Sequence, residues 1–148
     1  MARVGYLIKR AQTVLHNAMA DTLGPHGLTV TQFAVLTGLD EEPGLSNADL
    51  ARRAFVTPQS MHAVLQELER LQFVVRRPHP QHRRVLQAVL TEAGRRTLTS
   101  AANAVDAMEE QMLRKLSNPA RSRLASALSA CIDSLTETPT SSVARRLR

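Results

Sequence analysis

Cysteine is almost missing from this chain of 148 residues. Cys131 stands alone, which excludes an internal disulfide framework and fits a reducing compartment. Aromatic residues supply only 3%, with no Trp, so the core must be assembled from Leu, Val, Ala and Met. That mixture suits helix-on-helix packing better than a β-sandwich. No apolar run is long enough to span a bilayer, and the N-terminus lacks the apolar block of a secretory signal. A cytoplasmic address without a membrane partner is expected. Also absent are a phosphate-binding P-loop, a dinucleotide fingerprint and a Gly-x-Ser-x-Gly nucleophile elbow. The chain is therefore not expected to be an enzyme or to need a cofactor.

Acidic residues are the minority charge, 13 against 19 Lys and Arg, for a formal net charge of +6. Arg makes up nearly all of the basic set, and its planar fork suits phosphate oxygens and guanine edges. The hydrophobic fraction of 43% with 22% charged residues is that of an ordinary folded domain. The length favours one compact unit.

Along the chain, Leu7, Ile8, Ala11, Val14, Leu15, Ala18 and Met19 recur at helical spacing and predict a first helix from Val4 to Leu23. Gly24-Pro25-His26-Gly27 should stop it. A second helix is expected from an N-cap at Thr31 to just before Pro43-Gly44, and a short third one after Ser46, with Asp49 completing a carboxylate version of the capping box. Thr57-Pro58 marks the start of a fourth helix whose apolar face carries Met61, Val64, Leu65, Leu68 and Leu71. Alternating runs at 73–77 and 84–90 then predict a β-hairpin around Pro78-His79-Pro80-Gln81-His82. Thr91-Glu92 opens a long helix through Leu116, and Asn118-Pro119 starts a last one through Leu124, Leu128, Cys131, Ile132 and Leu135. The fold expected is mostly α with a small β-hairpin wing (α+β).

Helix, short helix, turn, capped helix and basic hairpin, in that order, form the layout of a winged helix-turn-helix, whose second helix enters the major groove of DNA. Opposite its apolar face the fourth helix carries Gln59, Ser60, His62 and Gln66, side-chain types that read base edges. The hairpin behind it adds Arg76, Arg77, Arg83 and Arg84. A solvated helix face is the bland alternative, and the adjacent arginines weigh against it. The apolar stripes of the first and the last two helices exceed what a small winged helix can cover, which predicts a homodimer.

The sequence resembles the MarR family of bacterial regulators from Val4 to about Leu135. The resemblance rests on Gly27-Leu28-Thr29-Val30-Thr31-Gln32-Phe33, Asn47-Ala48-Asp49-Leu50-Ala51, Val56-Thr57-Pro58-Gln59-Ser60-Met61 and Leu90-Thr91-Glu92-Ala93-Gly94, each in its family position. It implies one domain over 1–148: a winged helix-turn-helix lobe at 29–91, dimerisation helices at 1–28 and 92–137, and a flexible tail at 138–148. It further implies a dimer on a pseudo-palindromic double-stranded DNA operator, repressing transcription until a small aromatic or lipophilic ligand releases it. By carry-over, Gln59, Ser60 and His62 fall at reading positions and Arg84 at the wing arginine of the minor groove. The full set of expected DNA contacts is Arg52, Arg53, Thr57, Gln59, Ser60, His62, Gln66, Arg77, His82, Arg83 and Arg84. Tyr6, Lys9, Arg10 and His16 are expected near the rim of a ligand site.

This chain departs from the family in the wing, where His79 and His82 stand at positions commonly held by Asp, and in the fourth helix, where Ala63 replaces a frequent Arg. Imidazoles gaining charge beside phosphate predict DNA binding that tightens on mild acidification. Two rival readings give way. A metal-dependent protein built on His79 and His82 lacks a third ligand and a recognisable spacing. A protein-interaction adaptor would need an apolar outer face on the fourth helix. Cys131, on the apolar face of the last helix, is read as an inert small hydrophobe.

Overall fold

The computed structural model describes residues 3–137. The expected flexible tail, 138–148, lies outside the described residues. Along the chain run α1 (Val4–Leu23), α2 (Val30–Glu41), α3 (Asn47–Arg53), α4 (Pro58–Arg70), β1 (Val74–Pro78), β2 (Leu86–Leu90), α5 (Glu92–Leu113) and α6 (Asn118–Thr136). The strands pair antiparallel from Val74 opposite Leu90 to Pro78 opposite Leu86. The fold is thus mostly α with a small hairpin, and no described helix is long and apolar enough to cross a membrane.

Local chemistry sets the helix starts. Thr29, not Thr31, caps α2: its hydroxyl accepts the Gln32 N–H, while the Gln32 side chain accepts the Thr29 N–H. This reciprocal pair stabilises the helix by satisfying two otherwise orphaned donors, and it keeps the nearly buried Gln32 satisfied. Ser46 caps α3 through the Asp49 N–H, and Thr57 caps α4 through the Ser60 N–H, with Pro58 in the first helical turn.

Three helical segments end on a residue in the left-handed region followed by a six-residue backbone closure. Only one of the three uses glycine. Gly27 (φ 71°) closes a 3-10 turn over Gly24–His26, so Gly24 itself stays right-handed and Pro25 sits inside the turn. Phe55 (φ 56°) ends α3, with Val56 N–H donating to Ala51, and Gln72 (φ 63°) ends α4, with Phe73 N–H donating to Leu68. The hairpin is shorter than expected: Arg84 and Val85 lie in its turn and not in β2.

The chain divides into two compact units, the first ending at Glu109 and the second beginning at Glu110. The first holds the core, built from Leu23, Val35, Leu36, Leu50, Met61, Leu65 and Leu68 with Val74, Ala88 and Leu90 from the hairpin. Leu98, Ala101 and Val105 of α5 complete it. The hairpin is tied in behind α4 by Thr91, whose N–H donates to Phe73 O (3.0 Å) and whose hydroxyl donates to Gln72 O (2.6 Å). Gly94 is required there, because a Cβ would lie 2.1 Å from the Phe73 carbonyl oxygen.

In the second unit, Arg121 fastens α6 to the end of α5 through both Glu110 carboxylate oxygens at 2.9 Å. No residue of α6 is buried. Leu124, Leu128, Ile132 and Leu135 are exposed, and so is Cys131. Cys131, read from sequence as an inert small hydrophobe, is thus exposed in the single chain, where no described residue buries this face.

Candidate nucleic-acid interface

Two short helices and one turn set the position of α4. The Asn47 side chain donates to Pro58 O at 3.2 Å, tying the start of α3 to the start of α4. Met61, Leu65 and Leu68 anchor the inner face of α4. On the other side Gln59, His62 and Gln66, three and four residues apart, share one exposed face. Ser60 is exposed beside them but engaged, its hydroxyl accepting from that of Thr57 at 3.0 Å. Thr57 is therefore a helix cap first. Between Pro58 and the hydroxyl-capped Ser60, the N-terminal end of α4 faces outward with its partial positive charge, which favours a phosphate.

The expected arginines divide by their partners. Arg52 forms an ion pair with Asp49 on α3. The Ser46 hydroxyl bonded to that carboxylate, together with Arg52, holds Asp49 below the usual carboxylate range. Arg53 is held by Glu42 at 2.6 Å and Glu41 at 3.2 Å. Both arginines thus have carboxylate partners within the protein. Arg76, counted among the hairpin cations, is also engaged: it meets Glu69 at 2.6 Å and fastens β1 to α4. Arg77, Arg83 and Arg84 are exposed, and no described carboxylate pairs with them. They form the cationic tip of the hairpin.

His79 and His82 also lie at that tip, their rings 5.3 Å apart. His79 Nδ1 accepts the Gln81 N–H at 3.1 Å and the His82 N–H at 3.3 Å. Neither belongs to a group of three metal-ligating side chains, and the described residues contain no such group.

A cleft of about 920 Å³ opens between α1, α2 and the turn from α3 to α4. Its walls are mainly apolar, with Met19, Phe33, Ala34 and Val56 among them, and His16 and Arg53 bring nitrogen donors to it. Thr37, another lining residue, has a buried hydroxyl oxygen with no hydrogen-bond partner. Of the four expected rim residues only His16 lines this cleft. Tyr6 and Arg10 stack on each other at 5.8 Å near the start of α1, and neither they nor Lys9 reach it. The wall from α2 was not expected from sequence, where Phe33 and Ala34 are of the same residue types as the core.

A sequence model of the MarR family matches residues 26–85. The HTH-type transcriptional repressor Rv2887 of Mycobacterium tuberculosis is 41% identical over 118 residues, covering 80% of this chain and 85% of that one. The crystal structure of Rv2887 in complex with DNA has a TM-score of 0.74 at 37% identity, covering 88% of this chain and 98% of that chain. A complex of Rv2887 with salicylic acid matches equally well, at a TM-score of 0.74 with 88% and 97% covered. The transcriptional repressor CouR, bound to a 23-mer DNA duplex, has a TM-score of 0.79 at 31% identity, covering 88% and 92%.

Proposed function

The chain belongs to the MarR family, and on that basis we propose that it is a homodimeric repressor of transcription that binds a pseudo-palindromic operator in double-stranded DNA and is released by a small aromatic ligand. It acts by binding and not by catalysis, in the cytoplasm. The observation that carries this reading is the exposed polar face of α4, Gln59, His62 and Gln66, held rigidly on the core beside a hairpin tip bearing Arg77, Arg83 and Arg84. The helix supplies hydrogen-bonding groups for base edges, and the wing supplies cations for phosphate and the minor groove. An adaptor would need an apolar surface where these side chains stand. Residues 29–91 form the DNA-binding lobe in this reading, with 1–28 and 92–137 serving dimerisation.

Dimerisation is supported by exposed apolar side chains. Leu7, Ile8 and Val14 of α1 and Leu128, Ile132 and Leu135 of α6 are all exposed in the single chain, and a second copy would remove them from water. Effector release is supported by the cleft. Its wall includes Arg53, Ala54, Phe55 and Val56, the segment that leads directly into α4. A ligand that fits only one arrangement of this turn shifts the population of α4 orientations by its differential affinity. His16 suits a carboxylate or phenolate on an otherwise apolar molecule, such as salicylic acid in the relative's complex, and Arg53 can join it by exchanging its Glu41 or Glu42 partner for the ligand.

Fluorescence anisotropy on the duplex upstream of the protein's own gene, against a random duplex of equal length, tests the reading. Tighter binding to the former, weakened by salicylic acid, is expected. Equal affinity for both duplexes overturns operator recognition, and an unchanged affinity with ligand present removes this class of effector.

A further inference from the structure

The wing turn is closed by two kinds of bond. Its backbone closes on itself where the His79 N–H donates to Val85 O and the Val85 N–H donates to His82 O, both at 2.8 Å. Two further donors inside the turn, the N–H groups of Gln81 and His82, converge on one side-chain acceptor, His79 Nδ1, at 3.1 and 3.3 Å. An imidazole accepts through Nδ1 only when that nitrogen is unprotonated, so these two bonds require the tautomer that carries its proton on Nε2. Pro80, between the ring and its donors in sequence, has no N–H to offer. The arrangement is that of a side chain capping its own turn, a task ordinarily given to Asn or Asp.

We propose that His79 is the positioning residue of the wing: its Nδ1, as an acceptor, holds the turn that presents Arg83 and Arg84, so protonation of the ring slackens the wing. This rests on the reading of the hairpin as a DNA contact. Protonation turns Nδ1 from an acceptor into a donor aimed at two donors, and both bonds are lost together. The ionisable neighbours give no compensation: His82 lies beside the ring, Arg77, Arg83 and Arg84 occupy the same hairpin, and α4 contributes Glu69, which Arg76 already engages. No described carboxylate pairs with either histidine. Tighter binding on acidification, expected from sequence, applies to an imidazole free to act as an added cation. His79 is not free in this sense, because its Nδ1 is the acceptor of two bonds within the turn.

The discriminating substitution is His79→Asn, whose side-chain oxygen can accept the same two N–H groups and does not titrate, with His79→Ala as the acceptor-free control. In the DNA-free protein, the Gln81 and His82 amide resonances of the wild type should move toward their positions in His79→Ala between about pH 8 and about pH 6, spanning the usual imidazole range. In His79→Asn the Gln81 resonance should stay near its position at pH 8, whereas that of His82 also senses its own ring and is compared between His79→Asn and His79→Ala. Resonances that do not move in the wild type overturn the proposal, whether or not the protein binds DNA. On the duplex upstream of its own gene, the protein that keeps His79 should match His79→Asn at about pH 8 and bind roughly fivefold more weakly than it at about pH 6, as expected for one net hydrogen bond. His62 is present in both proteins, so its contribution cancels in this ratio, and His82, whose ring lies 5.3 Å from that of His79, is replaced by Asn in both. A ratio that stays constant, or that shifts in favour of the protein that keeps His79, overturns the role of His79 in binding.

Discussion

The lobe that carries α4 and the terminal helix α6 are built from similar residues and end in opposite states. In the lobe, Leu36, Met61 and Leu68 are fully buried, and the short α3 sinks Leu50 and Ala51 into the same core. Across the 19 residues of α6 nothing is buried, and Leu135 remains 84% exposed. Both regions show helical apolar stripes, so the difference is not one of local propensity. It lies in whether another element of the same chain faces the stripe. With Leu23 of α1 and Leu98, Ala101 and Val105 of α5, the lobe shares one closed core on which recognition residues can be fixed, whereas α6 leaves its apolar stripe exposed in the single chain.

Truncation at the centre of the lobe should have the largest effect. Leu65→Ala removes a buried side chain from α4 and is expected to cost about 2–5 kcal/mol, measured by urea unfolding. A loss below about 1 kcal/mol would mean that the core tolerates a cavity there and that α4 is less firmly held than described. Next comes Ile132→Glu. Ile132 is exposed in the single chain, so the lobe should keep its far-ultraviolet signal while sedimentation velocity shifts from dimer to monomer. A stable dimer in this variant would place the interface elsewhere. Gln72→Gly should have the smallest effect. Removing Cβ at a left-handed residue relieves about 1 kcal/mol, seen as a modest rise in the unfolding midpoint. Unchanged stability would show that the Gln72 side chain recovers that strain through contacts of its own.

Much of the lobe was legible because its punctuation is chemical. Ser46, Thr57 and Pro58 each act where a capping hydroxyl or a missing N–H should act, and α4 starts where Thr57-Pro58 predicted. In the sequence Thr31, just ahead of Phe33, reads as the cap of α2. The true cap, Thr29, wins through its reciprocal bond with Gln32, which also explains a buried glutamine. The left-handed ends at Phe55 and Gln72 left no mark in the sequence, since the usual glycine is absent and tertiary packing imposes the conformation. Among the expected DNA contacts, residue type could not tell an arginine with a carboxylate partner from one without. Asp49 lies near Arg52 in sequence, but Glu41 and Glu42 reach Arg53 only through the packing of α2 against α3. The cleft was illegible for a similar reason: its α2 wall uses the same residue types as the core.

The proposal that α4 reads base edges is tested most directly by the double substitution Gln59→Ala with His62→Ala, measured on operator and random duplexes at one salt concentration. Both side chains are exposed and α4 is anchored through its other face, so the fold should survive, which circular dichroism verifies. Each good base contact contributes about 1–3 kcal/mol of discrimination. The variant should therefore lose at least about fivefold in affinity for the operator, while its affinity for random duplex, maintained by Arg77, Arg83 and Arg84, stays within about twofold. Equal losses on both duplexes would contradict the account, because α4 would then be contributing affinity without reading sequence.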